Sequence, residues 1–190
     1  MRAVGIALFI VVALVLQTTI ARFLTPGANL IDLVLVAVVY IALTGGPVAG
    51  LIAGTIAGLA QDSLAATGVS VVAIAAGVMT ARSIIGIGGL AKTVVGFLTG
   101  IIGSQFIVAR PLPRALVFFT AAVTHAIIFM GLYAVLDPGY GRTSYGTIAS
   151  QAGANAVAGV LIFQISEAFP GFMDKRRMAG GGMRINRRLD

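Results

Sequence analysis

The chain has 190 residues, of which 58% are hydrophobic and 10% are charged, and its mean hydropathy is +1.03. A water-soluble domain carries about 25% charged residues, so this composition excludes a soluble globular protein. The formal net charge is +7, but much of it lies in the segment after residue 170, which excludes a nucleic-acid-binding surface spread over the fold. The chain contains no cysteine, and this excludes disulfides and thiolate metal sites.

Long apolar runs determine the predicted fold class. In lipid the backbone must satisfy its own hydrogen bonds, which leaves helices or closed barrels. Barrel strands alternate apolar and polar residues, and no such alternation occurs here. The sequence therefore predicts an all-α polytopic transmembrane helical bundle over residues 1–170, followed by a basic tail over residues 171–190.

Six segments have the apolar character of membrane spans, which need about 20 residues each. The predicted spans are 3–22, 30–44, 47–64, 93–109, 115–136 and 147–168. Residues 69–81 are also apolar but short, and we interpret them as a non-spanning segment that is either re-entrant or interfacial. A seventh span at this position stays open as the alternative.

The distribution of basic residues predicts the orientation, because cytoplasmic loops are enriched in lysine and arginine. The tail is predicted to be cytoplasmic and to contact anionic lipid or an acidic partner, through Lys175, Arg176, Arg177, Arg184, Arg187 and Arg188. The loops predicted to lie outside hold Arg22, Arg82, Lys92 and Arg142.

Glycine occurs at every fourth position of one helix, at Gly46, Gly50, Gly54 and Gly58, and the next step reaches Asp62. Small residues let helices approach closely in lipid, so the row predicts a packing groove. Gly96 and Gly100 in the fourth span are candidate partners. The groove packs either this protein's own helices or a helix of another protein.

Few polar residues fall within the predicted spans. Arg22, Asp32 and Asp62 lie near the outer ends of their helices and are predicted to form an outer polar cluster. His125 lies in the middle of the fifth span, where a neutral histidine can hydrogen-bond across helices. Two polar sets are predicted to hold helices together in the same way: Gln17, Thr18 and Thr19 in the first span, and Gln151, Asn155 and Gln164 in the last span. No catalytic or metal-binding constellation is predicted.

Three segments resemble the rod shape-determining protein MreD family, namely "LQTTI" (16–20), "DLVLVAVVYIALTGGPVAGLIAGTIAGLAQD" (32–62) and "GIGGLAKTVVGFLTGIIGSQFIV" (86–108). In that family a Pro-Asp pair usually opens the second span, and here Ile31 replaces the proline before Asp32. Residues 66–85 look like additional sequence.

The resemblance implies a non-enzymatic subunit of the bacterial cell-elongation complex in the cytoplasmic membrane. Its implied partners are an MreC-like protein and, more widely, MreB, a RodA-type polymerase and a transpeptidase, with no cofactor. The implied fold is similar to that of the substrate-binding subunits of energy-coupling-factor transporters. The alternative function is therefore a membrane carrier subunit that binds a small, vitamin-like molecule.

Overall fold

A computed structural model describes residues 2–24, 31–76, 85–106, 110–136 and 144–168, without the side chains of residues 2–3, 20–24 and 66–76. The predicted all-α class is confirmed for this part of the chain, which folds into six helices. They are α1 (Arg2–Leu24), α2 (Leu33–Gly45), α3 (Pro47–Ala76), α4 (Ile87–Gln105), α5 (Pro111–Leu136) and α6 (Tyr145–Ala168).

Four helical segments are long and apolar enough to cross a membrane: Pro47–Ala65, Ile87–Gln105, Pro111–Leu136 and Tyr145–Ala168. Two further apolar helical segments, Val4–Thr19 and Leu33–Gly45, are shorter. The arrangement is that of a multi-pass membrane protein.

Two predicted boundaries were wrong. Residues 69–76 continue α3 instead of starting a separate segment, because no proline or helix-ending glycine turn interrupts the run; residues 77–84 lie outside the described residues. α4 begins at Ile87 and not at residue 93. This earlier start places Lys92 inside a helix and not in the outer loop that the basic-residue pattern predicts.

The short helix α2 lies at the centre of the bundle and contacts each of the other five helices. Around it, α1 packs on α3, α3 on α4, α4 on α5 and α5 on α6, while α1 and α6 do not touch each other within the described ranges. Val34, Val36 and Val38 are completely buried. Close dispersion contact, rather than exclusion from water, stabilises such packing inside a membrane.

Aromatic rings connect the end of α2 to its neighbours. The ring of Tyr40 lies 5.4 Å from that of Phe9 on α1 and 4.7 Å from that of Phe163 on α6. The Arg114 guanidinium lies over the Phe163 ring, 4.5 Å from the ring centre, and forms an ion pair with Glu167. The buried Arg114 is thus neutralised where α5 begins and α6 ends.

Candidate functional site

The helices α3 and α4 meet along a line of glycines, which we call the glycine seam: Gly50, Gly54 and Gly58 on α3, and Gly89, Gly96 and Gly100 on α4. A Cβ atom added to Gly54 would overlap the backbone carbonyl of Lys92, and one added to Gly58 would overlap the Cα of Gly89. Gly50 and Gly96 contact each other's backbone carbonyls in the same way. Backbone therefore packs directly on backbone, and the two glycine rows pack this protein's own helices.

Gly46, the first member of the predicted row, has a different role. Its φ angle is +88°, and an added Cβ would have no neighbour within 4 Å. Glycine adopts this left-handed region without strain, so Gly46 forms the turn between α2 and α3, and Gly100 of α4 packs against the backbone of this turn. Its amide still donates to the carbonyl of Ala42, 2.8 Å away, which ends α2.

The start of α2 is held by polar side chains from three elements. Asp32 caps the helix, because its Oδ1 accepts from the amide of Leu35 at 2.9 Å. The backbone amide of Asp32 donates to Oδ1 of Asn155 on α6 at 2.8 Å. Gln17 on α1 bonds both sides of the helix start, accepting from the amide of Leu33 at 2.7 Å and donating to the carbonyl of Ile31 at 3.1 Å. These contacts satisfy backbone groups that a helix start leaves unpaired.

Lys92 brings a buried positive charge to the same place. Its Nζ lies 2.9 Å from Oδ2 of Asp32, and the residue is only 3% exposed. Lysine is almost never this buried without a partner. The pair with Asp32 makes the site neutral as a whole.

His125 completes what we call the buried network: Gln17, Asp32, Lys92, His125 and Asn155. Its Nε2 lies 3.3 Å from Nζ of Lys92. An ammonium group can only donate, so the contact predicts that Nε2 accepts and that the ring is neutral with its proton on Nδ1. The ring of Phe129, one turn further along α5, stacks beside it at 5.8 Å.

The network lies deep within the bundle. At 1.5 Å per residue, His125 is about 20 Å from the start of α5 and about 16 Å from its end. In a helix that crosses a membrane, this position is within the hydrocarbon region. Ionisable residues at that depth are costly and mark sites where function is to be sought first.

Asp62 lies at a separate place, where α3 passes the start of α4. Its Oδ2 accepts from the amides of Gly86 at 2.9 Å and Gly89 at 3.0 Å. The segment that begins α4 has no serine, threonine, aspartate or asparagine to cap it. Asp62 supplies that cap from the neighbouring helix, and a negative charge is favourable at a helix N-terminus.

Asp32 and Asp62, two members of the predicted outer polar cluster, have different partners in the structure. Asp32 pairs with Lys92 and Asp62 caps α4, and no contact between the two carboxylates is described. The side chain of Arg22 lies outside the described residues, as does the predicted tail contact set from Lys175 to Arg188, so both stay predictions. Sequence reasoning missed the role of Lys92, although a single lysine within the apolar run "GLAKTVVGF" was a signal for it.

The chemistry of the network is that of a satisfied, neutral polar centre. In the described part of the chain, no group of three histidine, cysteine, aspartate or glutamate side chains could hold a metal ion. The arrangement can hold helices in place, exchange hydrogen bonds with a small polar molecule, or do both.

Comparisons with known proteins identify no relative. No family model, no curated protein and no solved structure matches this chain. Function is therefore argued from the residues and their geometry.

Proposed function

We propose that this protein is a non-enzymatic, six-span subunit of the bacterial cell-elongation complex in the cytoplasmic membrane, with its C-terminus in the cytoplasm. It binds an MreC-like protein and helps to organise peptidoglycan synthesis. MreB, a RodA-type polymerase and a transpeptidase belong to the same assembly in this proposal.

The observation that carries the proposal is where the family-like segments lie in the fold. Residues 32–62 and 86–106 form α2, the first half of α3 and α4, and these three helices pack on one another. The conspicuous residues of those segments have structural roles that depend on one another. Asp32 caps α2, Asp62 caps α4, and the glycine seam joins α3 to α4. Because the segments that resemble the family form one packed unit, the resemblance supports the proposal better than matches scattered over the fold would.

The exposed surface also fits a protein that works through membrane contacts. Large apolar side chains are exposed along the outside of α1, α3, α4 and α5, for example Val11, Ile56, Leu98 and Leu116. These side chains suit lipid or another apolar helix. Because the glycine seam is already filled within the chain, a partner helix would bind elsewhere on this surface.

Affinity purification from native membranes tests the proposal. We expect an MreC-like protein to co-purify in near-stoichiometric amount, and depletion of the protein to convert rod-shaped cells to rounded ones. Absence of an MreC-like protein under conditions that retain other membrane complexes would count against the proposal.

A second candidate function is a carrier subunit that binds a small polar molecule, and the buried network is the observation that favours it. Charged and aromatic groups meet inside the bundle at Lys92, His125 and Phe129, which is the composition of many small-molecule sites. Mass spectrometry of molecules released from the purified protein tests this candidate. A ligand found with the unmodified protein and lost from the double variant Asp32→Asn with Lys92→Met, which leaves no unpaired charge, would favour the carrier.

A further inference from the structure

The side chains of α2 show no division into a polar and an apolar face that would fix the rotation or depth of this helix. Its residues from Leu33 to Leu43 are all apolar except for the hydroxyl of Tyr40, and valines are buried around its whole circumference. A helix that is apolar on all sides has no preferred face towards the core. A rotated or displaced α2 would still bury valine and leucine against small apolar neighbours.

The polar start of α2 is different, because its contacts exist in one geometry only. Asp32 meets Lys92 of α4 and Asn155 of α6, and the amide of Leu33 meets Gln17 of α1. Displacing the start of the helix by one residue would break all three contacts. Inside a membrane no water replaces them, so each lost contact leaves an unpaired polar group.

Stability alone does not account for a buried ion pair. Removing two charges from water costs about as much as their attraction returns, and apolar replacements of similar size are often equally stable. The best-attested use of such buried polar groups is to select one register among several apolar ones. We propose that the Asp32–Lys92 pair, supported by Asn155 and Gln17, fixes the depth and rotation of the start of α2. This proposal does not depend on the proposed function.

Distance measurements between spin labels test it directly, because the chain has no cysteine of its own. Labels are attached through Leu33→Cys at the start of α2 and Leu90→Cys on the exposed side of α4, in lipid nanodiscs. In the otherwise unmodified protein we expect a single narrow distance. The test variant is the double substitution Asp32→Asn with Lys92→Met, which removes both charges, keeps similar volumes and leaves a side chain that can cap α2.

The double variant should keep its fold, with a thermal midpoint within about 5 °C of the parent, while its distance distribution broadens or splits. The matched control is Tyr40→Leu, which removes the two aromatic contacts of α2 and leaves the network intact. We expect this control to lower the thermal midpoint and to keep the single narrow distance.

Three results would overturn the proposal. One is a narrow distance in the double variant. Another is a broad distance in Tyr40→Leu, which would assign the position of α2 to its aromatic contacts. The third is failure of the double variant to fold, because the pair would then be a source of stability rather than of position.

Discussion

The glycine seam and the buried network hold the same helix, α4, by opposite means. The seam contains no side chain beyond hydrogen and joins backbone to backbone, as at Gly54 and the carbonyl of Lys92. The network joins long polar side chains, as at Lys92 and Asp32. Lys92 belongs to both regions, through its backbone on one side and its ammonium on the other. The seam should therefore be sensitive to added volume, and the network to unmatched charge.

The largest effect is expected from breaking the network on one side. Asp32→Ala leaves the Lys92 ammonium buried without its carboxylate, and removing one partner of a buried pair costs about 3–5 kcal/mol. The free energy of unfolding in detergent micelles measures this loss. Adding Lys92→Met to Asp32→Ala should recover much of it. If the double variant is as unstable as the single one, the loss comes from the missing helix cap and not from the unpaired charge.

Added volume in the seam should have the next largest effect. Gly54→Leu raises intrinsic helix propensity but forces α3 away from α4, and overpacking costs about 1–3 kcal/mol or more. The matched control is Gly153→Leu on α6, where an added Cβ has no neighbour within 4 Å. Thermal unfolding should show a loss for Gly54→Leu only. Equal stability of the two variants would mean that the seam is not closely packed.

A smaller effect is expected at the cap of α4. There a polar side chain, as in the network, contacts the backbone of a neighbouring helix, as in the seam. Asp62→Ala removes the acceptor for the amides of Gly86 and Gly89, at a cost of about 0.5–2 kcal/mol, as for other helix caps. Asp62→Asn keeps an acceptor oxygen and should cost less. Hydrogen exchange should accelerate at the Gly89 amide in Asp62→Ala. Unchanged exchange there would show that Asp62 does not cap the helix.

The last prediction concerns the proton on His125 and requires no change in stability. Because Lys92 donates to Nε2, the ring should be neutral with its proton on Nδ1. Nitrogen NMR of protein labelled at histidine distinguishes the two neutral tautomers, and His125 is the single histidine of the chain. In the double variant Asp32→Asn with Lys92→Met, which leaves no unpaired charge, the preference for this tautomer should weaken. A proton on Nε2 in the unmodified protein would contradict the contact with Lys92.

Local patterns were sufficient to predict the all-α class and the approximate position of each helix. Apolar runs predict helices because each helix buries its backbone polar groups within itself, and the two glycine rows indicated a close helix contact. The end of α3 was harder to predict, because residues 63–76 contain neither proline nor charge, and the small polar residues Ser63, Thr67 and Ser70 do not end a helix.

The network could not be predicted for a different reason. Asp32 and Lys92 are 60 positions apart, and their pairing depends on how α2 and α4 lie against each other. In the sequence both carboxylates lie close to helix ends, and this position predicts one shared outer surface. That prediction fails for α2, whose start lies inside the bundle beside Asn155. The cap that Asp62 supplies to another helix is likewise a tertiary contact.

The hydrogen bond between Asp32 and Asn155 has a consequence for the synthesis of this protein. The two residues are separated by 123 positions, so the acceptor for the Asp32 amide does not exist when α2 leaves the ribosome. At about 5–20 residues per second, the ribosome needs about 6–25 s to supply it. During that interval the start of α2 is an incomplete site within the membrane, and water, lipid headgroups or an insertion factor must satisfy it. The polar surroundings of the start of the second helix are therefore complete only after the sixth helix has been made.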